Sequence, residues 1–265
     1  MPLGKLHSAD TFVYQRSGGP TQTSVIYLPG VHGCWTPMDK ARKQFDQHCE
    51  LVEVAYPFFD HWTLQHYAEA LLHLSYELEL DEFHLVGESF GSLVGWQFGL
   101  MHPSRVRSFT LVGGFSQAPG MYMAASAGLG LNVLPAVAFD KIVDAYVSYK
   151  TAQGEPRTAA GVKAYPGVRC DRGQSATANR MRLIQSTDFT KDLPRVSFPV
   201  RYVGGSKDRV VPVKREIRTL ERLLPERADF EHYLIPEAPH AIIASHPEQT
   251  TTRIIQWIEQ IEDHR

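Results

Sequence analysis

The stretch Phe83-His-Leu-Val-Gly-Glu-Ser-Phe-Gly91 is the part of this sequence that is most informative about its fold. Its first four residues are typical of a buried strand, and Ser92-Leu-Val-Gly-Trp-Gln-Phe98 after it is typical of a helix. Between them Gly87-Glu-Ser-Phe-Gly91 has the form Gly-x-Ser-x-Gly, which places a serine on a tight turn from strand to helix. Glycine on both sides lets the strand and the helix approach each other closely. Ser89 is therefore the first candidate functional residue.

The glycines of this motif continue along the predicted helix at a spacing of four residues, as Gly87, Gly91, Gly95 and Gly99. This spacing places them along one helix face. A glycine inside a helix costs about 1 kcal/mol relative to alanine. We therefore expect that this face packs closely against a sheet, because close packing would offset the cost.

Strand and helix patterns alternate on both sides of the motif. Strands are predicted at Ser24–Leu28, Leu51–Ala55, Phe83–Val86, Val106–Val112, Pro199–Val203 and Asp229–Ile235, and helices at Thr63–Leu80, Phe90–Met101, Val213–Leu224 and from Pro247 onward. Such alternation is typical of βαβ units. The fold class is therefore α/β, with a mostly parallel central sheet flanked by helices.

The alternation fails between residues 115 and 188, where we expect an inserted, mainly helical segment. One amphipathic helix is predicted there, at Ala136–Tyr149. Residues 1–114 and 189–265 then form the core of one α/β unit. A second independent domain is not needed to account for the length.

The composition excludes several classes of protein. The chain has 265 residues, with 27 Lys and Arg against 29 Asp and Glu, a near-neutral balance without the basic surplus of a nucleic-acid-binding protein. With 43% hydrophobic residues the chain is predicted to fold, with a core that needs no disulfide or metal. Neither Cys-x-x-Cys nor His-Glu-x-x-His occurs, so we expect no metal and no cofactor.

The sequence also predicts no membrane span. The N-terminal residues lack the apolar run of a signal peptide. The longest mostly apolar stretch, Met121–Phe139, is interrupted by glycines and a proline. A cytoplasmic protein is therefore expected, and no particular oligomeric state follows from the sequence.

A serine hydroxyl becomes a nucleophile only beside a base that is itself oriented by a third group. Asp208 follows one buried strand and His240 follows the next, and the carboxyl ends of parallel strands are where α/β sheets place their sites. We therefore predict Ser89, His240 and Asp208 as a catalytic triad. His246 is the rival base, and Glu237 and Asp229 are the rival acids, although neither follows a strand as Asp208 does.

At these residues the chain resembles the α/β-hydrolase superfamily over most of its length. Gly205-Ser-Lys-Asp-Arg-Val-Val-Pro212 is similar to the family's setting for the acid, and His240 stands before the last helix as the family's base does. Pro239 occupies a place that is usually glycine, which should stiffen the loop. The resemblance implies a serine hydrolase that cleaves a carboxylic ester through an acyl-enzyme.

The tetrahedral intermediate of such a reaction needs two N–H donors for its oxyanion. Phe90, directly after the serine and at a helix N-terminus, is predicted to supply one. The other is expected from the loop Leu28-Pro-Gly-Val-His-Gly-Cys-Trp35. If Leu28-Pro-Gly30 is aligned with the family's usual Leu-His-Gly, Val31 is the donor, and if His32-Gly33 is aligned with it, Cys34 is the donor. The position of the loop after the predicted strand favours Val31.

The resemblance implies that residues 115–188 form a lid over the site. Candidate pocket residues lie in this segment and after neighbouring strands: His32, Trp35, Phe58, Phe115, Met121 and Met123. They predict an apolar pocket for a small hydrophobic ester, although part of this set could be core. A C–C bond hydrolase, a thioesterase, a perhydrolase and, from another class, a non-catalytic ligand-binding homologue are the alternatives. Activity should fall on acidification near the ordinary histidine pKa of about 6.5.

Overall fold

The computed structural model describes residues 12–19, 23–119 and 171–264. Within them seven strands form one sheet in the order β1-β3-β2-β4-β5-β6-β7. The strands are β1 Val13–Ser17, β2 Ser24–Leu28, β3 Glu50–Ala55, β4 Phe83–Glu88, β5 Val106–Val112, β6 Val200–Gly205 and β7 Glu231–Ile235. Every neighbouring pair is parallel except β1 with β3, which is antiparallel. The predicted mostly parallel sheet is thus confirmed.

Helices cover both faces of this sheet. The described α-helices are α1 Arg42–Phe45, α2 Leu64–Glu77, α3 Phe90–Met101, α4 Asp171–Ser186, α5 Val213–Leu223, α6 Ile242–Ser245 and α7 Pro247–Asp263. Alternate residues of a strand point to opposite faces. In β2, Ile26 accordingly joins a core with α2, α3 and α5, while Val25 joins a second core with α1, α6 and α7.

The glycines of α3 allow the close approach that their spacing predicted. A methyl group on Gly91 would collide with the carbonyl oxygen of Leu28 in β2. One on Gly95 would enter the ring of Phe109 in β5, and one on Gly99 would lie 2.5 Å from the ring of Phe198. The expected packing of α3 on the sheet is therefore confirmed, and it fixes the start of α3 directly over the end of β2.

The segment between β5 and β6 leaves and returns at one place. Gln117 and Asp188 pair as an isolated antiparallel bridge, and the Phe189 N–H donates to the Ser116 carbonyl at 2.9 Å. The helix predicted at Ala136–Tyr149 lies outside the described residues. The residues at the two ends of this segment therefore lie side by side, and its assignment as an insertion stays a prediction.

Two elements differ from the sequence-based expectations. Strand β1 was not predicted, because its residues Gln15 and Arg16 are polar and its pairing depends on Glu53 and Glu50 of β3. Helix α4 was not predicted either, since its mostly polar sequence lacks the broad apolar stripe that indicates a helix. No helix in the described ranges is long and apolar enough to cross a membrane.

Candidate active site

Ser89 stands between β4 and α3 in a backbone conformation that non-glycine residues rarely adopt. Its φ is 50° and its ψ is −113°. The conformation is held by the Ser89 N–H, which donates to the Val112 carbonyl at 3.0 Å, and by the Ser92 N–H, which donates to the Ser89 carbonyl at 2.9 Å. A strained residue that its surroundings hold in this way is typical of functional sites.

The structure brings the three predicted side chains together. His240 Nε2 lies 3.0 Å from Ser89 Oγ, and His240 Nδ1 lies 2.8 Å from Asp208 Oδ2. A carboxylate can only accept, so Nδ1–H donates to Asp208, and in the neutral ring Nε2 is left to accept the serine proton. The arrangement can therefore deprotonate Ser89 and hold the resulting imidazolium.

Asp208 is placed by the loop after β6. Its side chain is completely buried, and its Oδ1 accepts from the Val210 and Val211 N–H groups at 2.8 and 2.9 Å. The Lys207 N–H donates to the Ala238 carbonyl at 3.0 Å, which joins this loop to the one that carries His240. One carboxylate oxygen is thus used to hold the acid, and the other remains for the histidine.

A second carboxylate acts on His240. Burial alone would lower the pKa of His240, but the charge and hydrogen bond of Asp208 and the charge of Glu88 raise it above its usual 6.5. Glu88 is buried at the end of β4, and the Tyr27 hydroxyl donates to it. Burial raises the pKa of Glu88, whereas the hydrogen bond from the Tyr27 hydroxyl and the charge of His240 act to lower it. The expected histidine pKa near 6.5 therefore needs an upward correction.

The loop after β2 approaches the serine from the other side. A methyl group on Gly30 would lie 3.5 Å from Ser89 Cβ. Within the described residues no acceptor is found for the Val31 N–H, and the Phe90 N–H begins α3 beside Ser89. Both groups therefore remain candidate donors to a negatively charged oxygen, which a helix N-terminus favours.

The candidate pocket residues fall in different surroundings. His32 is buried beside Gly30, and burial lowers its pKa to about 3, so its neutral ring donates from Nε2 to the Cys34 carbonyl at 2.8 Å. Trp35 packs against the core of α1, α6 and α7. Phe58 is half exposed, and Phe115 is completely buried in the other core. Met121 and Met123 lie outside the described residues.

No side-chain set suited to a metal is found in residues 12–19, 23–119 and 171–264, where no three His, Cys, Asp or Glu side chains could hold an ion. The rival acid Asp229 binds Arg201 at 2.6 Å, and His246 precedes α7 as the sequence predicted.

Three residues near the site were missed from the sequence. Arg180 in α4 donates from Nε to the Val31 carbonyl at 2.7 Å, and the Tyr56 hydroxyl donates to the Pro29 carbonyl at 3.1 Å. Glu88 could have been found, since it occupies the variable position before Ser89 on a buried strand. For Arg180 and Tyr56 the sequence offers no signal, because their partners are backbone atoms far along the chain.

Comparison with known families defines the class. The profile of the alpha/beta hydrolase fold family matches residues 55–247, so the chain belongs to that family, and the resemblance seen in the sequence is confirmed.

Individual relatives are distant but share most of their length with this chain. RutD of Agrobacterium fabrum, named a candidate carbamate hydrolase, is 24% identical over 196 residues, which cover 72% of each chain. The pimeloyl-[acyl-carrier protein] methyl ester esterase of Shewanella woodyi is 23% identical, over 66% of this chain and 70% of its own. The structure of MGS-M2, an alpha/beta hydrolase from a deep-sea metagenome library, superposes with a TM-score of 0.77 at 17% identity, covering 94% of both. The chain is a hydrolase.

Proposed function

We propose that this protein is a serine hydrolase that cleaves a carboxylic ester through an acyl-enzyme. The observation that carries the proposal is the continuous hydrogen-bond chain from Ser89 Oγ through His240 to Asp208, at 3.0 and 2.8 Å. A hydroxyl, an imidazole and a buried carboxylate in this order are the parts that acyl transfer requires. The relative named a methyl ester esterase supports the ester as the bond that is cleaved.

In the first half of the reaction Ser89 Oγ attacks the ester carbonyl carbon, and its proton passes to His240 Nε2. The carbonyl π electrons move to the oxygen, which accepts from the Phe90 and Val31 N–H groups. When the carbonyl re-forms, the bond to the alkoxy group breaks, and the leaving oxygen takes the proton from Nε2. The products are the free alcohol and Ser89 esterified by the acyl group.

In the second half a water molecule repeats these steps. His240 Nε2 takes a proton from the water as its oxygen attacks the acyl carbon, and then returns that proton to Ser89 Oγ. The carboxylic acid leaves, and the enzyme is restored. Asp208 keeps its charge throughout and stabilises the imidazolium in both halves.

Residues 115–188 are the proposed lid, and the substrate is a small hydrophobic ester. The two ends of this segment, Ser116 and Phe189, are hydrogen-bonded to each other near the carboxyl end of β5. That edge of the sheet also carries Ser89, Asp208 and His240. A segment anchored there can reach over the serine.

The proposal is tested by measuring turnover of p-nitrophenyl esters of different chain length. Thioesters, carbamates and dienoic keto-acids are measured beside them. Ester hydrolysis is expected, with kcat in Ser89→Ala lowered by about 10⁴- to 10⁶-fold. The matched control is Ser75→Ala, a buried serine of α2. Its hydroxyl donates to the Leu72 carbonyl at 2.7 Å, and its loss should affect stability far more than turnover. Turnover of esters by Ser89→Ala at the wild-type rate would overturn the proposal, and preference for another bond class would redirect it.

A further inference from the structure

Arg180 is a fully buried cation that has no counter-ion among the residues that the structure describes. Its side chain has no exposed surface, and no carboxylate of the described residues forms an ion pair with it. Arg201, the other large buried arginine, shows the usual solution, because it binds the Asp229 and Glu231 carboxylates at 2.6 and 3.3 Å. A buried charge is costly unless it is paired, so Arg180 calls for an explanation other than stability.

The contacts of Arg180 converge on the loop that follows β2. Nε donates to the Val31 carbonyl at 2.7 Å, and Nη2 donates to Thr177 Oγ1, one helical turn earlier, at 3.2 Å. A methyl group on Gly33 would lie 3.0 Å from Nη2, so the guanidinium lies directly against the loop. Nη1 makes no hydrogen bond of normal geometry among the described residues, and the Tyr67 hydroxyl is close enough to the guanidinium that Arg180 opposes the burial that raises the pKa of Tyr67.

The peptide planes around Val31 are each fixed by a different group. The Tyr56 hydroxyl holds the Pro29 carbonyl, the Gly33 N–H holds the Gly30 carbonyl at 2.9 Å, and Arg180 holds the Val31 carbonyl. Because a trans peptide is planar, the direction of the Gly30 carbonyl sets the opposite direction of the Val31 N–H. The candidate oxyanion donor therefore lies between two peptide planes that are pinned by side chains.

We propose that Arg180 is a positioning residue that aligns the Val31 N–H for the oxyanion. This rests on the proposed function. The guanidinium is completely buried against the Val31 carbonyl, so that it acts on the reaction through Val31 and does not touch the substrate. Since Arg180 belongs to α4, the same bond joins the inserted segment to the oxyanion loop, and displacement of α4 would misalign the donor.

Kinetics of Arg180→Met and Arg180→Lys test this proposal. Lysine keeps the charge, but its point-like ammonium cannot reproduce the planar fork that spans Val31 and Thr177. Both variants should lower kcat by about 10- to 100-fold, somewhat less than the loss of a whole oxyanion donor. Serine adds to the carbonyl carbon of an aliphatic trifluoromethyl ketone, and the former carbonyl oxygen of the adduct carries the negative charge. The affinity of both variants for this ketone should fall by a similar factor. KM should change by less than about threefold, and the acid limb of the pH profile should stay in place.

Asn179→Leu is the matched control. Asn179 precedes Arg180 in α4 and also donates from a buried side chain to a loop carbonyl, that of Trp62, at 2.8 Å. Its loss should lower the Tm while leaving kcat and ketone affinity within about threefold of wild type. If both Arg180 variants fail to fold, Thr177→Val keeps the arginine and removes the hydroxyl that holds Nη2. That variant should lower kcat and ketone affinity together by a smaller factor.

Three outcomes would overturn the inference. The first is a kcat in the Arg180 variants that falls no more than in Asn179→Leu, or an unchanged kcat in folded Thr177→Val. The second is a rise in KM confined to esters that carry a carboxylate, which would make Arg180 a substrate-binding residue. The third is a wild-type protein that a fluorophosphonate does not label, which overturns the proposed function as well. If the wild type is labelled and the Arg180 variants hydrolyse the ester as fast as Asn179→Leu, the first outcome applies, and only the inference about Arg180 is overturned.

Discussion

The two sides of Ser89 are built from opposite charges. On one side, which we call the acid flank, His240 lies among the buried carboxylates of Asp208 and Glu88. On the other side, which we call the loop flank, residues 29–35 are backed by the buried guanidinium of Arg180. The acid flank is held together by bonds to carboxylates, and the loop flank by bonds to backbone carbonyls.

This difference matches the charges that ester cleavage would create. When Ser89 attacks, positive charge develops on His240 and negative charge develops on the substrate oxygen. Under the proposed function, the carboxylates would face the imidazolium, and the Phe90 and Val31 N–H groups would face the oxyanion. Asp208 and the Val31 carbonyl are held by hydrogen bonds before any reaction, so little reorganisation would be needed when the charges form. Single substitutions can disturb one flank and leave the other intact.

The largest effect is expected on the acid flank, from Asp208→Asn. The amide can donate as well as accept, so it no longer forces the proton of His240 onto Nδ1, and Nε2 loses its role as acceptor. We expect kcat to fall by about 10⁴-fold, measured with the best ester of the panel. Asp229→Asn changes the rival acid and should leave kcat near wild type. Equal losses in the two variants would remove Asp208 from the site.

A smaller effect is expected on the loop flank, from Tyr56→Phe. This substitution leaves the Pro29 carbonyl without its hydroxyl donor but keeps the ring, which packs edge-on against Phe90 with centroids 5.9 Å apart. We expect kcat to fall by about 3- to 10-fold and the free energy of unfolding by about 1 kcal/mol. The measurements are steady-state kinetics and urea denaturation.

Thr250→Val is the control for the loop flank. The buried Thr250 hydroxyl also donates to a backbone carbonyl, that of His246 at 2.7 Å, but it lies in α7 and holds no carbonyl of residues 29–35. The substitution should lower the free energy of unfolding while kcat stays within about twofold of wild type. A Thr250→Val variant as impaired in kcat as Tyr56→Phe would show that the loss of any buried hydroxyl matters and the bond to Pro29 does not.

The smallest effect is a displacement of the pH profile. A protonated His240 cannot accept the serine proton, so kcat/KM should fall as the pH drops through its pKa. Asp208 and Glu88 raise that pKa, so the midpoint should lie above 6.5 in the wild type. In Glu88→Gln the raising charge is lost, and the midpoint should move to lower pH with little change in the plateau.

Glu50→Gln is the matched control for this displacement. Glu50 is also a buried glutamate on a strand. Its carboxylate accepts from Arg16 on β1 and from Ser24 on β2, away from His240. Its removal should destabilise the fold without moving the midpoint. A midpoint that stays unchanged in Glu88→Gln would show that the second carboxylate does not act on the histidine.

The triad residues of the acid flank could be predicted from the sequence because the sheet topology brings them together, whereas Glu88 was missed. Parallel strands end at one edge of the sheet, so residues that follow β4, β6 and β7 must come close. Ser89, Asp208 and His240 occupy those three places, and the structure joins them by hydrogen bonds. The Gly-x-Ser-x-Gly motif and its flanking patterns indicate which edge of the parallel strands carries the site.

The loop flank could be predicted only in part. The candidate donors Phe90 and Val31 follow from the ends of β4 and β2, but what holds the loop does not. Arg180 and Val31 are separated by 149 positions, and the bond between them joins a side chain to a backbone atom. Since any residue at position 31 has that carbonyl, the residue types give no sign of the contact. Strand β1 escaped prediction for a related reason, since its polar residues are matched by Glu50 and Glu53 of another strand.

Labelling by a fluorophosphonate tests the central claim, that Ser89 is the nucleophile between the two flanks, most directly. The probe forms a covalent bond to an activated serine oxygen and loses fluoride, so intact mass reports one adduct and peptide mapping locates it. We predict one adduct per chain, on Ser89, that is absent in Ser89→Ala and slowed in Asp208→Asn. A wild-type protein that stays unmodified, or an adduct that persists in Ser89→Ala, would contradict the account.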